Sequence, residues 1–230
     1  MVSANQIRHY PIFEGLDEAE LTRLANVMTR RVFAKGAYVF MPGRPAGPAY
    51  LVESGLVRLF FSTTDGGEVL FNLAGPSESL MFPTPIDDQL RWVGAAAVQP
   101  TVLLTFERED FFQMFNSSAQ FARNVYQAMV VYTRKLLLLT RTLTSLNLNG
   151  RLATVLLRMA IRNEKYEDAF YLPVSQEELA GWIGSSRGRL NKAMKLLEQL
   201  GMIRVEGRTI VILDHPGLVR MSEEQTLEKM

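Results

Sequence analysis

The segment that most constrains this chain runs from Val174 to Leu213, VSQEELAGWIGSSRGRLNKAMKLLEQLGMIRVEGRTIVIL. Ser175 followed by Glu178 reads as a capping box and predicts a helix start. Leu179, Ala180 and Ile183 give that helix one apolar side. Gly184 ends it, because the turn needs a backbone that tolerates positive φ. Ser185 is placed to cap a second helix, which buries Leu190, Met194 and Leu197. Gly201 stops that helix. Met202-Ile203-Arg204-Val205 and Thr209-Ile210-Val211-Ile212 then read as two short strands joined at Glu206-Gly207-Arg208. Two short helices across a glycine turn, followed by a hairpin, describe a winged helix-turn-helix.

The free face of the second helix shows Ser186, Arg187, Arg189, Asn191, Lys192 and Lys195. A solvated helix face usually mixes signs to gain i,i+4 pairs. No acid interrupts Ser185 to Leu197, although the whole chain of 230 residues is nearly balanced, with 25 basic and 24 acidic side chains. Concentrating one sign there is what a helix lying among phosphates requires, so double-stranded DNA is the expected partner.

The chain has no cysteine, which removes disulfides, thiolate zinc sites, cysteine-ligated iron–sulfur clusters and thiol redox sensing. The N-terminus lacks the pattern of a signal peptide, and no window of about 20 apolar residues exists to span a membrane, so the expectation is a cytoplasmic protein with no membrane partner.

Taken in order, Asp17 with Glu20 opens a short helix carrying Leu21, Leu24 and Val27-Met28, expected to end near Arg30-Arg31. Apolar or alternating runs follow at Ala37–Met41, Ala49–Val52, Leu56–Phe61, Val69–Leu73, Val93–Val98 and Val102–Phe106. Glycine turns separate them at Lys35-Gly36, Pro42-Gly43, Ser54-Gly55, Asp65-Gly66-Gly67 and Gly75-Pro76, which predicts an antiparallel sandwich or barrel. Glu107 or Arg108 opens a short helix through Phe111, Phe112 and Phe115. From Ser118 to Leu146 the helical period is sustained. Met129, Tyr132, Leu136, Leu139, Leu143 and Leu146 alternate spacings of three and four, an a/d seam suited to a second copy of the chain. The alternative is a helix buried on its own β domain, and the four leucines from Leu136 to Leu139 cover enough of the circumference for both contacts. Asn147-Leu148-Asn149-Gly150 breaks the helix as a hinge. Arg151–Arg162 is the expected first helix of the DNA-binding part, Glu164–Ala169 a charged loop, and Asp214–Met230 a polar tail without a legible role.

These residues together resemble the cyclic-AMP receptor protein/Fnr (Crp/Fnr) family of bacterial transcription regulators. The resemblance rests on Gly150-Arg151-Leu152, Ile183-Gly184-Ser185-Ser186-Arg187, Lys195-Leu196-Leu197-Glu198 and Gly207-Arg208-Thr209-Ile210-Val211. In the first part it rests on Tyr50-Leu51-Val52-Glu53-Ser54-Gly55, Val57-Arg58-Leu59 and Gly66-Gly67-Glu68. It implies an α+β chain. An N-terminal β-roll sensor of the cyclic-nucleotide-binding, jelly-roll type would occupy 1–117, a dimerisation helix and hinge 118–147, and a winged helix-turn-helix 148–230.

The resemblance also implies roles. Arg187 matches an arginine that contacts guanine, and bidentate pairing explains the residue type. Ser186, Arg189 and Lys192 match positions on the phosphate backbone or a neighbouring base. Ser175 and Gln176 match backbone contacts at the preceding helix start. Gly188 departs from the family, where a base-reading glutamate is common, so the usual half-site is not implied. Arg91 matches the family's arginine for a cyclic phosphate, but Trp92 stands where a serine is usual, and Met81-Phe82 where glycine and a ribose-binding glutamate are usual. Leu136 and Leu137 replace the polar residues that meet the base. A ribose hydroxyl buried without a partner costs roughly 1–3 kcal/mol, which points away from cyclic AMP. The pocket would take an apolar or aromatic effector, anionic through Arg91, or be filled by Met81, Phe82 and Trp92. Arg91 as a plain surface arginine is the remaining alternative. Haem, another effector known in the family, would have only His9 and His215 as imidazole ligands, both outside the roll, which points away from it too.

The expectation is a homodimer on a two-fold-symmetric site, its recognition helices about one helical turn apart, with RNA polymerase as a further partner if it activates. A small-molecule binder with a vestigial DNA domain and an enzyme are the competing classes. No Ser-His-Asp set, metal-ligand spacing, phosphate loop or dinucleotide motif is visible, so no enzyme is expected.

Overall fold

In the computed structural model the described residues are 2–62, 68–80, 89–145, 147–159, 161–162, 170–172, 176–207 and 209–223. They form two compact units, Met1–Arg134 and Lys135–Met230.

The first unit opens with α1 (Ala4–Ile7), a 3-10 turn at Pro11–Phe13 and α2 (Glu18–Val27). Asp17 and Glu20 form the expected capping box, each side chain accepting the other's backbone N–H at 2.7 and 2.9 Å. The helix stops earlier than Arg30-Arg31. Met28 is already extended, and Thr29–Phe33 is strand β1. Its residues pair with β8 (Thr101–Phe106), and the Thr29 and Thr105 hydroxyls bond at 2.8 Å across the ladder. A β-branched, aromatic segment with a partner strand overrides helical continuation.

The remaining strands are β2 (Tyr38–Phe40), β3 (Ala49–Ser54), β4 (Val57–Ser62), β5 (Glu68–Ala74), β6 (Ser79–Leu80) and β7 (Gly94–Ala97). They make two four-stranded antiparallel sheets, in the orders β1-β8-β3-β6 and β2-β7-β4-β5. This is the anticipated two-sheet β-roll, with β1 and β6 added. The Asp65-Gly66-Gly67 turn lies outside the described residues. One core collects α1, α2, Leu51 and Leu104 from the first sheet, and Phe111 and Met114 of α3 (Arg108–Ser117). Phe121 and Val125 of α4 (Ala119–Ser145) join it. Asn124 is buried there and donates to the Ile12 and Glu14 carbonyls at 3.0 and 2.8 Å, which ties the N-terminal arm to the long helix.

In the second unit α5 spans Leu148–Met159, starting three residues before the expected Arg151 and ending three short of Arg162. Asn147 explains the start, since its side chain accepts the Gly150 N–H at 2.9 Å as an N-cap. Arg162 belongs instead to β9 (Ile161–Arg162), which pairs with β10 (Phe170–Leu172). The expected loop Glu164–Ala169 lies outside the described residues. After α6 (Gln176–Trp182) and α7 (Arg187–Gln199) come β11 (Ile203–Glu206) and β12 (Thr209–Ile212), in a sheet ordered β11-β12-β10-β9. The tail has a role after all. Asp214 accepts the Gly217 N–H and opens α8 (His215–Glu223), which packs on α5 and fully buries Leu218.

Candidate nucleic-acid interface

Leu179, Ala180, Trp182 and Ile183 are buried and fix α6 against the unit's core. At its end the Ser185 N–H reaches the Ala180 carbonyl at 3.0 Å and the Gly184 N–H reaches Gly181 at 3.2 Å. That is a Schellman stop, and it needs Gly184 at φ +58. Arg151 of α5 lies beside this turn, its Nη1 within 3.6 Å of where a Gly184 side chain would begin. The sequence expectation that Ser185 caps the next helix is corrected. Ser186 has the extended N-cap conformation, and its hydroxyl accepts the Arg189 N–H at 3.4 Å. Ser185 is consumed by the Schellman turn, and its own hydroxyl is buried with no partner among the described residues. The capping pair Ser175–Glu178 cannot be followed, since Ser175 lies outside the described residues.

On α7, Leu190, Ala193, Met194 and Leu197 are buried. Ser186, Arg187, Arg189, Lys192 and Lys195 are exposed, so the helix separates its faces as the spacing predicts. Among the described residues none of these four cations is ion-paired. A cationic row with no internal counter-charge keeps its full attraction for an external polyanion. Asn191 departs from the expected exposure. It is half-buried, with Oδ1 buried and without a partner among the described residues, and so stands on the flank of the basic face. Gly188 is exposed with nothing within 4 Å of a would-be side chain, so it presents bare backbone between two arginines. Gln176 is half-buried at the start of α6.

Met81 and Phe82 lie outside the described residues. Arg91 is no surface arginine: it is only 5% exposed. Its guanidinium lies 4.1 Å over the Phe40 ring and 5.7 Å from the Tyr50 ring, and Nη2 donates to the Pro48 carbonyl at 3.3 Å. Burial lowers its pKa below the ordinary arginine value, with Tyr50 opposing that shift. The backbone on either side is held too, since Arg91 exchanges bonds with Arg44 and Gly43 at 2.8 and 2.7 Å. Trp92, the next residue, points outward and is 64% exposed, so it fills no pocket. Leu136 and Leu137 are exposed on α4.

Of the expected seam, Met129 and Tyr132 are half-buried. Burial raises the Tyr132 hydroxyl's pKa, which sets that side chain against its own chain. Leu139 and Leu143 belong to α4 but their side chains, and Leu146 entirely, lie outside the described residues. A different apolar row is free: Tyr126, 69% exposed, and Leu137, 65% exposed, with half-buried Val130 between them. At 100° per residue these three fall within about 40° of one another. The 126–130–137 spacing could have disclosed that row, but the denser seam leucines, about 100–180° round the helix, masked it.

Residues 150–221 match the model of the Crp-like helix-turn-helix domain, and residues 30–118 that of the cyclic nucleotide-binding domain. The cyclic AMP receptor protein of Thermus thermophilus is 28% identical over 220 residues, covering 96% of each chain. The CRP-like cAMP-activated global transcriptional regulator of Mycobacterium tuberculosis is 27% identical over 215 residues, covering 91% of this chain and 95% of that one. A solved Crp/Fnr-family transcriptional regulator from T. thermophilus superposes with a TM-score of 0.70 at 24% identity, covering 86% of this chain and all of the other.

Proposed function

From the premise that the chain belongs to the Crp/Fnr family of transcription regulators, we propose how its own residues do that work. It is a DNA-binding regulator and not an enzyme. Two copies pair along α4, with the exposed Tyr126–Val130–Leu137 row joining the Leu136–Leu146 seam. Each presents α7 to a major groove of a two-fold-symmetric site. Arg187 reads a guanine edge. Ser186, Arg189 and Lys192 hold phosphates or a neighbouring base, Ser175 and Gln176 hold the backbone at the start of α6, and Asn191 borders the contact. The observation that carries this reading is the exposed basic row, without an ion pair among the described residues, on a helix whose other face is buried.

We further propose that the β-roll answers to an effector other than cyclic AMP, or to none. The support is Arg91, already engaged by Phe40, Tyr50 and the Pro48 carbonyl. The names of the two cAMP-linked relatives favour the second reading, a cyclic-nucleotide regulator using Arg91 for the phosphate. No metal or cofactor enters either reading, and the chain offers no cysteine ligand. Among the described residues no helix is long and apolar enough to cross a membrane. The regulator would act in the cytoplasm, beside RNA polymerase where it activates.

The test is selection of bound duplexes from a random pool, without effector, followed by the Arg187→Ala variant on the recovered site. A symmetric consensus is expected. The variant should lose roughly 1–3 kcal/mol and relax preference at one base pair per half-site. Equal binding by the variant would remove Arg187 from its assigned role. Absence of any DNA binding at low salt would overturn the DNA-binding mechanism.

A further inference from the structure

The recognition helix ends on an acid. From Ser185 to Leu197 the sequence has no carboxylate, and Glu198 is the first. In the last turn of α7 it sits at the negative end of the helix dipole and on an element meant for phosphates. Both effects disfavour it, so some contact of its own must account for it. That contact is visible: Oε1 accepts the backbone N–H of Val205 at 3.1 Å, seven residues on. Val205 belongs to β11, the edge strand of its sheet, and its N–H faces away from β12. An edge N–H has no strand to bond it. Glu198 therefore closes the one side of the wing that the sheet leaves open.

The same residue is engaged at its backbone. Its carbonyl accepts the Gly201 N–H at 2.9 Å, while Met202 donates to Leu197 at 2.9 Å. These two bonds are the Schellman stop of α7, with Gly201 at φ +68. They fix where the chain leaves the helix. The Glu198 side chain adds a second tie between helix and strand, at Val205, three residues beyond Met202.

We propose that Glu198 is a positioning residue that locks the wing to the recognition helix, so that both meet DNA as one body. The inference rests on the DNA-binding reading above. Its variants are Glu198→Ala, which removes the acceptor, and Glu198→Gln, which keeps an oxygen acceptor without the charge. Amide exchange at Val205, followed by NMR on the full chain without DNA, reads the lock directly. It should accelerate roughly tenfold in the alanine variant and stay slow in the glutamine variant. On a duplex bound by the wild type, alanine should weaken binding roughly three- to tenfold. It should also flatten the salt dependence by about 0.9 for each phosphate the wing ceases to touch. Glutamine should bind at least as tightly as the wild type.

Unchanged Val205 exchange in Glu198→Ala overturns the lock. Equal tightening by both variants overturns it too, since Glu198 would then act only as a charge repelling phosphate. If the wild type itself binds no DNA, the DNA-binding reading fails, and the lock is judged on Val205 exchange alone.

Discussion

Replacing Arg91 separates a structural cation from a ligand cation. In Arg91→Ala the β-roll loses the cation–π contacts over Phe40 and Tyr50, worth about 0.5–2 kcal/mol together. It also loses the bond to the Pro48 carbonyl, about 1.5 kcal/mol for a charged donor. The stem leaves a cavity of the large-to-small kind, which costs a further 2 kcal/mol or so. Against these stands the desolvation of a buried guanidinium with no carboxylate partner among the described residues, several kcal/mol regained on removal. The net expectation is a loss of about 2 kcal/mol for alanine. For Arg91→Met, which keeps most of the volume and no charge, the change should stay within about 1 kcal/mol. At this chain length each kcal/mol moves Tm by about 2–4 °C. The alanine variant should therefore melt about 4–8 °C lower, and methionine close to the wild type. Scanning calorimetry reads both, with the β-roll transition followed separately because two units need not melt together. Cyclic AMP supplies the refutation. A ligand at a hundred times its Kd adds about 2.7 kcal/mol. A rise of that size with cyclic AMP in the wild type, absent in Arg91→Met, would show that Arg91 leaves its aromatic seat for a phosphate.

Other expectations follow from separate features. Tyr10 donates to the buried Val52 carbonyl at 3.0 Å, and burial, with Glu53, pushes its hydroxyl up to about 12. A raised folded value means that its stabilisation is complete below pH 10 and lost as pH climbs through 12. Urea melts across that window should show a decline that is shallower in Tyr10→Phe. Gly201→Ala forces a side chain into φ +68 and should cost the second unit about 1–2 kcal/mol, measured by chemical denaturation. Leu137→Asp places a charge on the exposed row of α4 and should shift sedimentation from dimer toward monomer, while the monomer's circular dichroism stays unchanged.

Where one local cause decided the structure, the sequence was easy to read. The capping box at Asp17, the glycine turns between strands and the Gly184 turn each bind one or two neighbouring backbone groups. The misreadings came where partners distant in sequence decide. Thr29–Phe33 follows a helix without a break in composition, and only strand β8, some seventy residues away, makes it extended. Ser185 and Ser186 are equivalent as caps until the preceding helix claims the Ser185 backbone. The helix at His215–Glu223 looked polar because a single fully buried leucine, Leu218, is enough to seat it. Arg91 was the hardest case. Nothing in its neighbours along the chain marks Phe40 and Tyr50 as the rings it lies against.

The Met202 carbonyl accepts two N–H groups at once, from Leu213 at 2.9 Å and Asp214 at 3.1 Å. That closes the wing into a loop of fixed circumference, with four rungs from Ile203↔Ile212 to Glu206↔Thr209. A one-residue insertion in either strand would turn every side chain beyond it to the opposite face. Length can be added only at the tip beside Gly207, one residue per strand, extending the wing by about 3.4 Å each time. Descendants of this chain can thus change how far the wing reaches along a duplex in discrete steps, without altering the base of the hairpin or the helix that enters the groove.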